Sequence, residues 1–398
     1  FDKNGSKKPQ HFNGVNFGLL GTKIDLKNLD KLDRNALLNQ EFKFSIPNYE
    51  ILMKDSLNKV TIGLITVAKA EVRVSDLVFS PRVGRYQYGR TVGNQTDVMN
   101  IHVPLLVLDR PDYDRFLEHE VLAAKSLKVS DVNAMMFRDK RFPRVTGVFR
   151  PMPQELMRNA GIELRLDTFV IENATIRYAE FFEKGMVPGE LLFTDINAGL
   201  YPFHLSKDEN PYPLVESFLL ATTKLNGVAD LNLQGHLFFQ EPYPMRINAQ
   251  LGEFDMRTLN SILETNAFVN IKRGTVKEAD WSFVADNDKA VGQMAFLYSD
   301  LHVILLNHRT LEHAKGRDAI LTFVLNSFAL RSNNPRRYLR NPIEGKIYHE
   351  RDNEKFVFNY WWKTTFSGLK GSLGLGQAKP ENPKKAAKSK KKKEGIKE

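Results

Sequence analysis

The sequence has no cysteine, which excludes disulfides, thiolate metal sites and cysteine nucleophiles together. It also lacks any apolar run near the ~18 residues that a spanning helix needs, and its mean hydropathy is −0.37. No secretory signal opens it, because Phe1 to Gln10 is polar and Lys-containing. The first residue is Phe rather than Met, so a fragment or processed product is expected, with any anchor or export signal upstream. Nucleotide-binding loops are missing as well. Gly368, Gly371, Gly374 and Gly376 have the wrong spacing for a dinucleotide fingerprint, and Lys23 does not complete a phosphate loop with Gly14, Gly18 and Gly21. His302, His308 and His313, and the cluster Glu118, His119 and Glu120, lack metal-ligand spacing. No cofactor, metal or catalytic residue is expected.

Charge is present but unevenly placed. The formal net charge is +10, and Gln377 to Glu398 alone holds nine Lys against three Glu. The high isoelectric point is therefore largely a property of that stretch, whose composition predicts disorder. No nucleic-acid recognition motif accompanies it, so specific nucleic-acid binding is not expected. Arg331 to Arg340 forms a second basic stretch, read as a solvated loop or as a contact for lipid headgroups.

What the chain has in quantity is two-residue alternation, from about residue 12 to residue 306. In 229–239, Ala229, Leu231, Leu233, Leu237 and Phe239 fall on one side, and Asp230, Asn232, Gln234 and His236 on the other. Strand side chains alternate sides, so this pattern describes sheets with one greasy and one wet face. Ile162, Leu164 and Leu166 repeat it, as do Ile247, Ala249 and Leu251, and Val72 and Val74. A loose internal repeat lies on top. VRVSDLVFS (72–80), LKVSDVNAMMF (127–137), FVIENATIRYA (169–179) and ELLFTDINAGLY (190–201) each place an Asp or Asn step between apolar runs, as a bend or bulge requires.

Helices are expected at 34–41, 112–124, 257–265 and 309–330, the last stopped by Asn333, Asn334 and Pro335. A final strand is expected over 355–360. It leads into WWKTTFSGLKGSLGL (361–375), where Trp362, Phe366, Leu369 and Leu373 recur at helical spacing. Two readings of that segment stay open. It is either a helix closing the sheet, with glycines for tight packing, or an interfacial helix touching membrane through Trp361, Trp362, Phe366 and Leu369.

Over 162–376 the chain resembles the C-terminal region of AsmA-like envelope proteins, in the version found in Bacteroidetes-type bacteria. INAQLGEFDMRTLNSIL, VNIKRGTV and AVGQMAFLYSDLHVILLN carry the likeness in that order, with FVIENATIRYAEF before them. The resemblance implies a curved antiparallel sheet folded into a trough with an apolar concave side, a link to lipid movement and outer-membrane homeostasis, and no catalytic residues. It implies a periplasmic location, with an inner-membrane anchor that is not in this chain.

The expected fold is therefore mainly β: an elongated, curved antiparallel sheet forming an apolar trough, with a few short helices capping it near the C-terminus. The expected segments are a polar stretch (1–11), an N-terminal sheet portion (12–160), an AsmA-like groove (161–306), a capping portion (307–376) and the Lys-rich tail (377–398). Exposing an acyl methylene costs about 0.8 kcal/mol, so a 16-carbon chain loses on the order of 10 kcal/mol in water. A sheltered path for phospholipid or another acyl ligand is thus the first functional expectation. Its working face would be Leu231, Leu233, Leu237, Phe239, Ile247 and Leu251, joined by Ile162, Leu164 and Leu166. The alternative is an assembly factor whose trough docks a partner protein without moving lipid.

Overall fold

The structure is a computed structural model describing residues 16–19, 42–159, 161, 163–206, 216–307, 310–312, 330–336, 341–355 and 357–379. Of the described residues 57% are strand and 17% helical, which makes the protein mainly β. The expected helix at 34–41, residues 313–329 of the one expected at 309–330, the polar start, and the tail beyond Lys379 lie outside the described residues, while residues 310–312 are non-helical, with Leu311 left-handed (φ +56°).

The strands are β1 (Asn16–Leu19), β2 (Phe42–Leu52), β3 (Asn58–Ala68), β4 (Glu71–Pro81), β5 (Asp97–Pro111), β6 (Val121–Ser130), β7 (Asn133–Asp139), β8 (Glu163–Phe181), β9 (Gly189–Tyr201), β10 (Phe203–Leu205) and β11 (Glu216–Leu225). Then come β12 (Ala229–Phe238), β13 (Met245–Leu251), β14 (Phe254–Asp255), β15 (Val269–Ala285), β16 (Lys289–Leu305) and β17 (Glu344–Glu350). Helices α1 (Arg85–Val92), α2 (Tyr113–His119), α3 (Pro153–Asn159), α4 (Asn260–Asn266) and α5 (Val357–Leu373) interrupt them.

Two compact units divide the chain. The first holds residues 1–145, 157–228 and 261–267, and the second holds 146–156, 229–260 and 268–398. The boundary expected at residue 160 falls inside the first unit, because β8 starts at Glu163 and pairs with β6.

In unit 1, β1 to β5 form an antiparallel meander. β5 then pairs antiparallel with β6 and β7 in turn. β8 lies parallel to both, and β9, β10 and β11 continue antiparallel. The pairing is mostly antiparallel, as expected, and the parallel placement of β8 is the departure from it among the described strands. Its cause is the connection: residues 140–162 run from the end of β7 back to the start of β8, and a crossover of that length permits parallel neighbours where a tight hairpin does not.

A line of left-handed residues crosses this sheet. Asn48, Asp76, Asp131, Asn173 and Asp195 have φ of +53°, +53°, +60°, +52° and +53°. They are the polar steps of the repeat, with Asn48 added. Asn and Asp tolerate this conformation, which costs other L-residues roughly 1–2 kcal/mol. Register survives the step: Pro47 pairs with Leu64 and Tyr49 with Ile62, and Ser75 pairs with Leu105 and Leu77 with Val103. Neighbouring strands therefore break together. Side chains hold the line, since Asn173 Nδ2 donates to Asp131 Oδ1 (2.7 Å) and Asn173 N donates to Asn197 Oδ1 (3.1 Å).

Unit 2 pairs β12, β13, β15, β16 and β17 antiparallel in that order. Alternation collects Leu233, Ala249, Trp281, Met294 and Gly345 in one row across five strands, and Gly235, Ile247, Phe283, Gly292 and Ile347 in the next. Helix α5 lies on the β16–β17 side of this face, burying Val357, Tyr360, Thr364, Gly368, Gly371 and Ser372. Gly345 and Gly368 allow the approach: a Cβ on Gly345 would collide with the Gly368 carbonyl, and one on Gly368 would sit 2.7 Å from Ile347 Cγ1. The Gln377 carboxamide then accepts from Lys346 N (2.7 Å) and donates to Glu344 O (2.9 Å), imitating a further strand at the β17 edge.

Several expectations change here. Residues 357–360 open α5 rather than form a strand, because Val357 and Tyr360 are sheet-facing positions of the helix. The helix expected over 112–124 ends at His119, where Glu120 turns left-handed (φ +55°) and β6 begins. Asn333 and Asn334 do more than stop a helix. Buried Asn334 donates to Phe296 O and Ile343 O and accepts from Ile343 N.

Two stability measurements check these packing arguments. In urea unfolding, Gly368→Ala should lose about 1–3 kcal/mol through overpacking against Ile347. At the left-handed line, Asn173→Ala should cost about 1 kcal/mol more than Asn173→Gly, because only alanine resists the positive φ.

Candidate functional site

Alternation on either side of the left-handed line places an apolar wall on one face of unit 1. One row reads Phe44, Val67, Val72, Leu108, Leu127, Phe169, Leu200 and Leu219, paired neighbour to neighbour across β2, β3, β4, β5, β6, β8, β9 and β11. The next reads Ile46, Ile65, Val74, Leu106, Val129, Ile171, Ala198 and Ala221. Beyond the line a third full row reads Ile51, Val60, Phe79, Ile101, Ala134, Ile176, Phe193 and Leu225.

A strict period of two would put that third row on the opposite side. β2, β4, β6–β7, β8 and β9 each take one apolar step of three, as in Ile46 to Tyr49, Val74 to Leu77 and Ile171 to Ala174, while β3 and β5 take theirs opposite Asp76 and β11 runs from Ala221 to Leu225 without one. In the strands that carry it, the left-handed residue inside the step resets the alternation, as an extra residue in a bulge does. The apolar side chains thus stay on one face along the full strand length.

These residues are mostly half-buried, neither sealed like a core nor free like a surface. The opposite face carries a mixed row of Ser45, Thr66, Arg73, Val107, Lys128 and Val170, with Lys128 Nζ 2.7 Å from Glu172 Oε1. Helices pack at the strand ends. The Tyr113 ring of α2 meets Phe42 edge-on at 5.4 Å, and Tyr88 of α1 joins Val98, Phe137, Ala179 and Phe181 in a buried cluster.

That cluster is bordered by a charged network. Arg138 Nε donates to Asp97 Oδ1 (2.7 Å), Lys140 Nζ to Glu180 Oε1 (2.7 Å), Tyr178 Oη to Glu180 Oε2 (2.6 Å) and Asn266 Nδ2 to Glu180 Oε1 (3.1 Å). Burial, with the Glu180 carboxylate beside it, pushes the Tyr178 hydroxyl far above its ordinary range. Tyr178 is therefore a fixed donor, and the network anchors the strand ends around a satisfied, buried Glu180. Among the described residues no three His, Asp or Glu side chains gather as a metal site.

The residues singled out from sequence fall in both units. Leu231, Leu233, Leu237 and Leu251 are half-buried on the unit 2 face, while Phe239 and Ile247 are buried in it. Leu231 pairs with Leu251, and Leu233 with Ala249, so these six share one face as expected. Leu164 and Leu166 belong to unit 1, where they are buried and pair with Leu205 and Phe203. Phe203, the partner of Leu166, meets Phe169 of the first row with ring centroids 5.5 Å apart, so these leucines adjoin the end of that row. Ile162 lies outside the described residues. On α5, Trp362 is exposed, Phe366 and Leu369 are half-buried, and Trp361 is tucked in with its Nε1 buried.

The rows of unit 1 were missed, although the residues that break their alternation are the Asp and Asn steps of the repeat. Apolar spacing of two, three and two around each of them is the signal.

A comparison with protein-family models finds no match, and neither does one with curated proteins.

Two histidines give the fold a pH dependence. Burial lowers the pKa of His204 and of His349, whose ring lies 6.0 Å from that of Tyr360, below the ordinary 6.5. The unfolded chain then takes up protons that the folded chain resists, so stability is full above about pH 6.5 and falls as pH drops below it. The midpoint of thermal unfolding should decline from pH 6.5 toward 5, and the double variant His204→Gln, His349→Gln should flatten part of that slope.

Proposed function

We propose that this protein is an AsmA-like envelope protein that shelters acyl chains on the apolar wall of unit 1, in the aqueous space between two membranes. The observation that carries the reading is the set of apolar rows running unbroken across eight strands while only half-buried. At about 4.8 Å per strand the rows span roughly 34 Å, and the three rows cover roughly 23 Å along the strands. An apolar area of several hundred Å² exceeds what a monomer ordinarily leaves to water. Acyl chains suit it because the three rows offer continuous hydrocarbon contact and no charged group to orient a ligand. Each methylene transferred from water to the wall gains up to about 0.8 kcal/mol, so even partial contact along a long chain retains a lipid.

The unit 2 face contributes less to this activity. Its middle is filled by side chains such as Met294, Phe283 and Ile347, and α5 lies over its β16–β17 side. The β12 leucines, Leu251 and Trp281 keep partial access.

The test is lipid analysis by mass spectrometry of the full chain purified without detergent. Phospholipid should be bound, and the delipidated protein should take up a fluorescent fatty acid. Ile171→Asp and Leu106→Asp, at the centre of the wall, should weaken uptake by about tenfold or more while circular dichroism stays unchanged. Ile171→Asn serves the same purpose if the acidic variants unfold. Absence of lipid and of uptake, with a stoichiometric protein partner recovered instead, would favour an assembly factor and end the acyl reading.

A further inference from the structure

Helix α5 has two apolar faces, and its docking on β16 and β17 uses one. The buried face runs through Val357, Tyr360, Thr364, Gly368, Gly371 and Ser372. Turned roughly a third of a revolution away, at ~100° per residue, lies a second stripe of Phe358, Trp362, Phe366, Leu369 and Leu373. Phe358 and Trp362 are each 51% exposed. Trp362 stacks on Phe366 with centroids 5.9 Å apart and planes 15° apart, and Phe358 meets Trp361 edge-on at 5.7 Å. The stripe is about 22 Å long, and its three rings, held by these contacts, occupy the first ~12 Å. Nothing in the packing of α5 requires it: Gly368 and Gly371 do the docking, and small polar residues at 358, 362 and 366 would serve the helix as well.

The charges beside the stripe identify what covers it. The seventeen residues of α5 include Lys363 and Lys370 and no Asp or Glu. Both lysines are exposed, on one flank roughly 80–100° round the helix from the centre of the stripe, and Lys370 Nζ lies 5.1 Å from the Phe366 ring centroid. The sequence that follows adds nine Lys between Gln377 and Glu398. Aromatic rings with a lysine border are the pattern of a helix lying in the boundary between acyl chains and headgroups, with lysine stems reaching out to phosphates. A second copy of this helix would bring like charges together. A nucleic acid would find one face of Trp362 and one of Phe366 already taken by each other.

We propose that the outer face of α5 seats the protein on an anionic lipid surface, with Phe358, Trp362, Phe366 and Leu369 at headgroup depth and Lys363 and Lys370 against the phosphates. This differs from the membrane contact expected from sequence, which counted Trp361 and omitted Phe358. The inference does not rest on the acyl wall: it concerns the surface of a bilayer and the second unit, not a ligand held by the first.

Vesicle flotation with the full chain tests it. The protein should rise with phosphatidylcholine vesicles containing roughly a third phosphatidylglycerol, and about tenfold less with phosphatidylcholine alone, because each lysine near an anionic surface contributes about 1 kcal/mol. Bound protein should show tryptophan quenching by brominated acyl chains. Trp362→Ser, Phe366→Ser should lower the partition by about tenfold or more and remove most of that quenching, while its urea midpoint stays that of the parent. Ile171→Asp, which addresses the acyl wall, should float normally. The inference is overturned if the double variant floats as well as the parent, if anionic and neutral vesicles are bound alike, or if the protein ignores vesicles and binds single-stranded nucleic acid in their place.

Discussion

A sheet that is to keep one face apolar over long strands has a geometric problem, and the left-handed Asn and Asp line in unit 1 is its solution. Two-residue alternation keeps a face only while every strand stays in phase. Long, strongly twisted strands must coil or bend, and a bend that adds a residue to one strand alone slips its register against both neighbours. Here β2, β4, β6–β7, β8 and β9 each carry a left-handed residue at the same level of the sheet. Phase resets together, and pairing resumes with no slip between β2 and β3, β3 and β4, or β4 and β5. Where the line passes through β3 and β5 it meets Gly63 and Pro104. A Cβ on Gly63 would crowd Asp76 Cβ at 3.1 Å, and proline needs no ladder donor at a place where the ladder is interrupted.

The second unit starts from the same strand chemistry and ends differently. Its apolar rows hold small residues at Gly235, Ala249, Ala279, Ala285, Ala290, Gly292 and Gly345, which let a helix approach closely. The result is a conventional core in which Ile347, Met294 and Ala290 are nearly inaccessible. Unit 1 has branched and aromatic residues at the corresponding density, with no glycine in its three full rows. Bulky rows fill their own level and leave less for a helix to interlock with, which is why a wall and not a groove for α5 results. Side-chain size along the rows, more than their hydrophobicity, separates the two faces.

This explains which parts of the structure were legible in the sequence. Strand character and the sidedness of 229–251 follow directly from alternation, and the polar step of the repeat pointed to a bend at the residues that take positive φ. The position of Leu164 and Leu166 was not legible, since their alternation is as clean as that of Leu231 and Leu233. Only the pairing with β10, which brings Phe203 against Phe169, places them beside the first row of unit 1 and not with the leucines of β12. The parallel β6–β8 pairing depends on a crossover through 140–162, whose course no local pattern specifies. Val357 to Tyr360 reads equally well as the end of a strand or the first turn of a helix, and packing of Tyr360, whose hydroxyl donates to Asp286 O at 3.2 Å, decides for the helix.

The distribution of apolar surface that remains after folding follows from the same constraint. A wall kept in phase across eight strands has a definite width and direction, so what lies on it must be long, apolar and indifferent to orientation. A row of rings on one helix is instead narrow, bordered by lysine and rigid, which suits a boundary where one side is hydrocarbon and the other is charged. The two surfaces select by different physics, one by contact length and the other by the join of apolar and cationic groups. A lipid surface satisfies the second without entering the first, so the proposed attachment to a bilayer and the proposed retention of an acyl chain are separable.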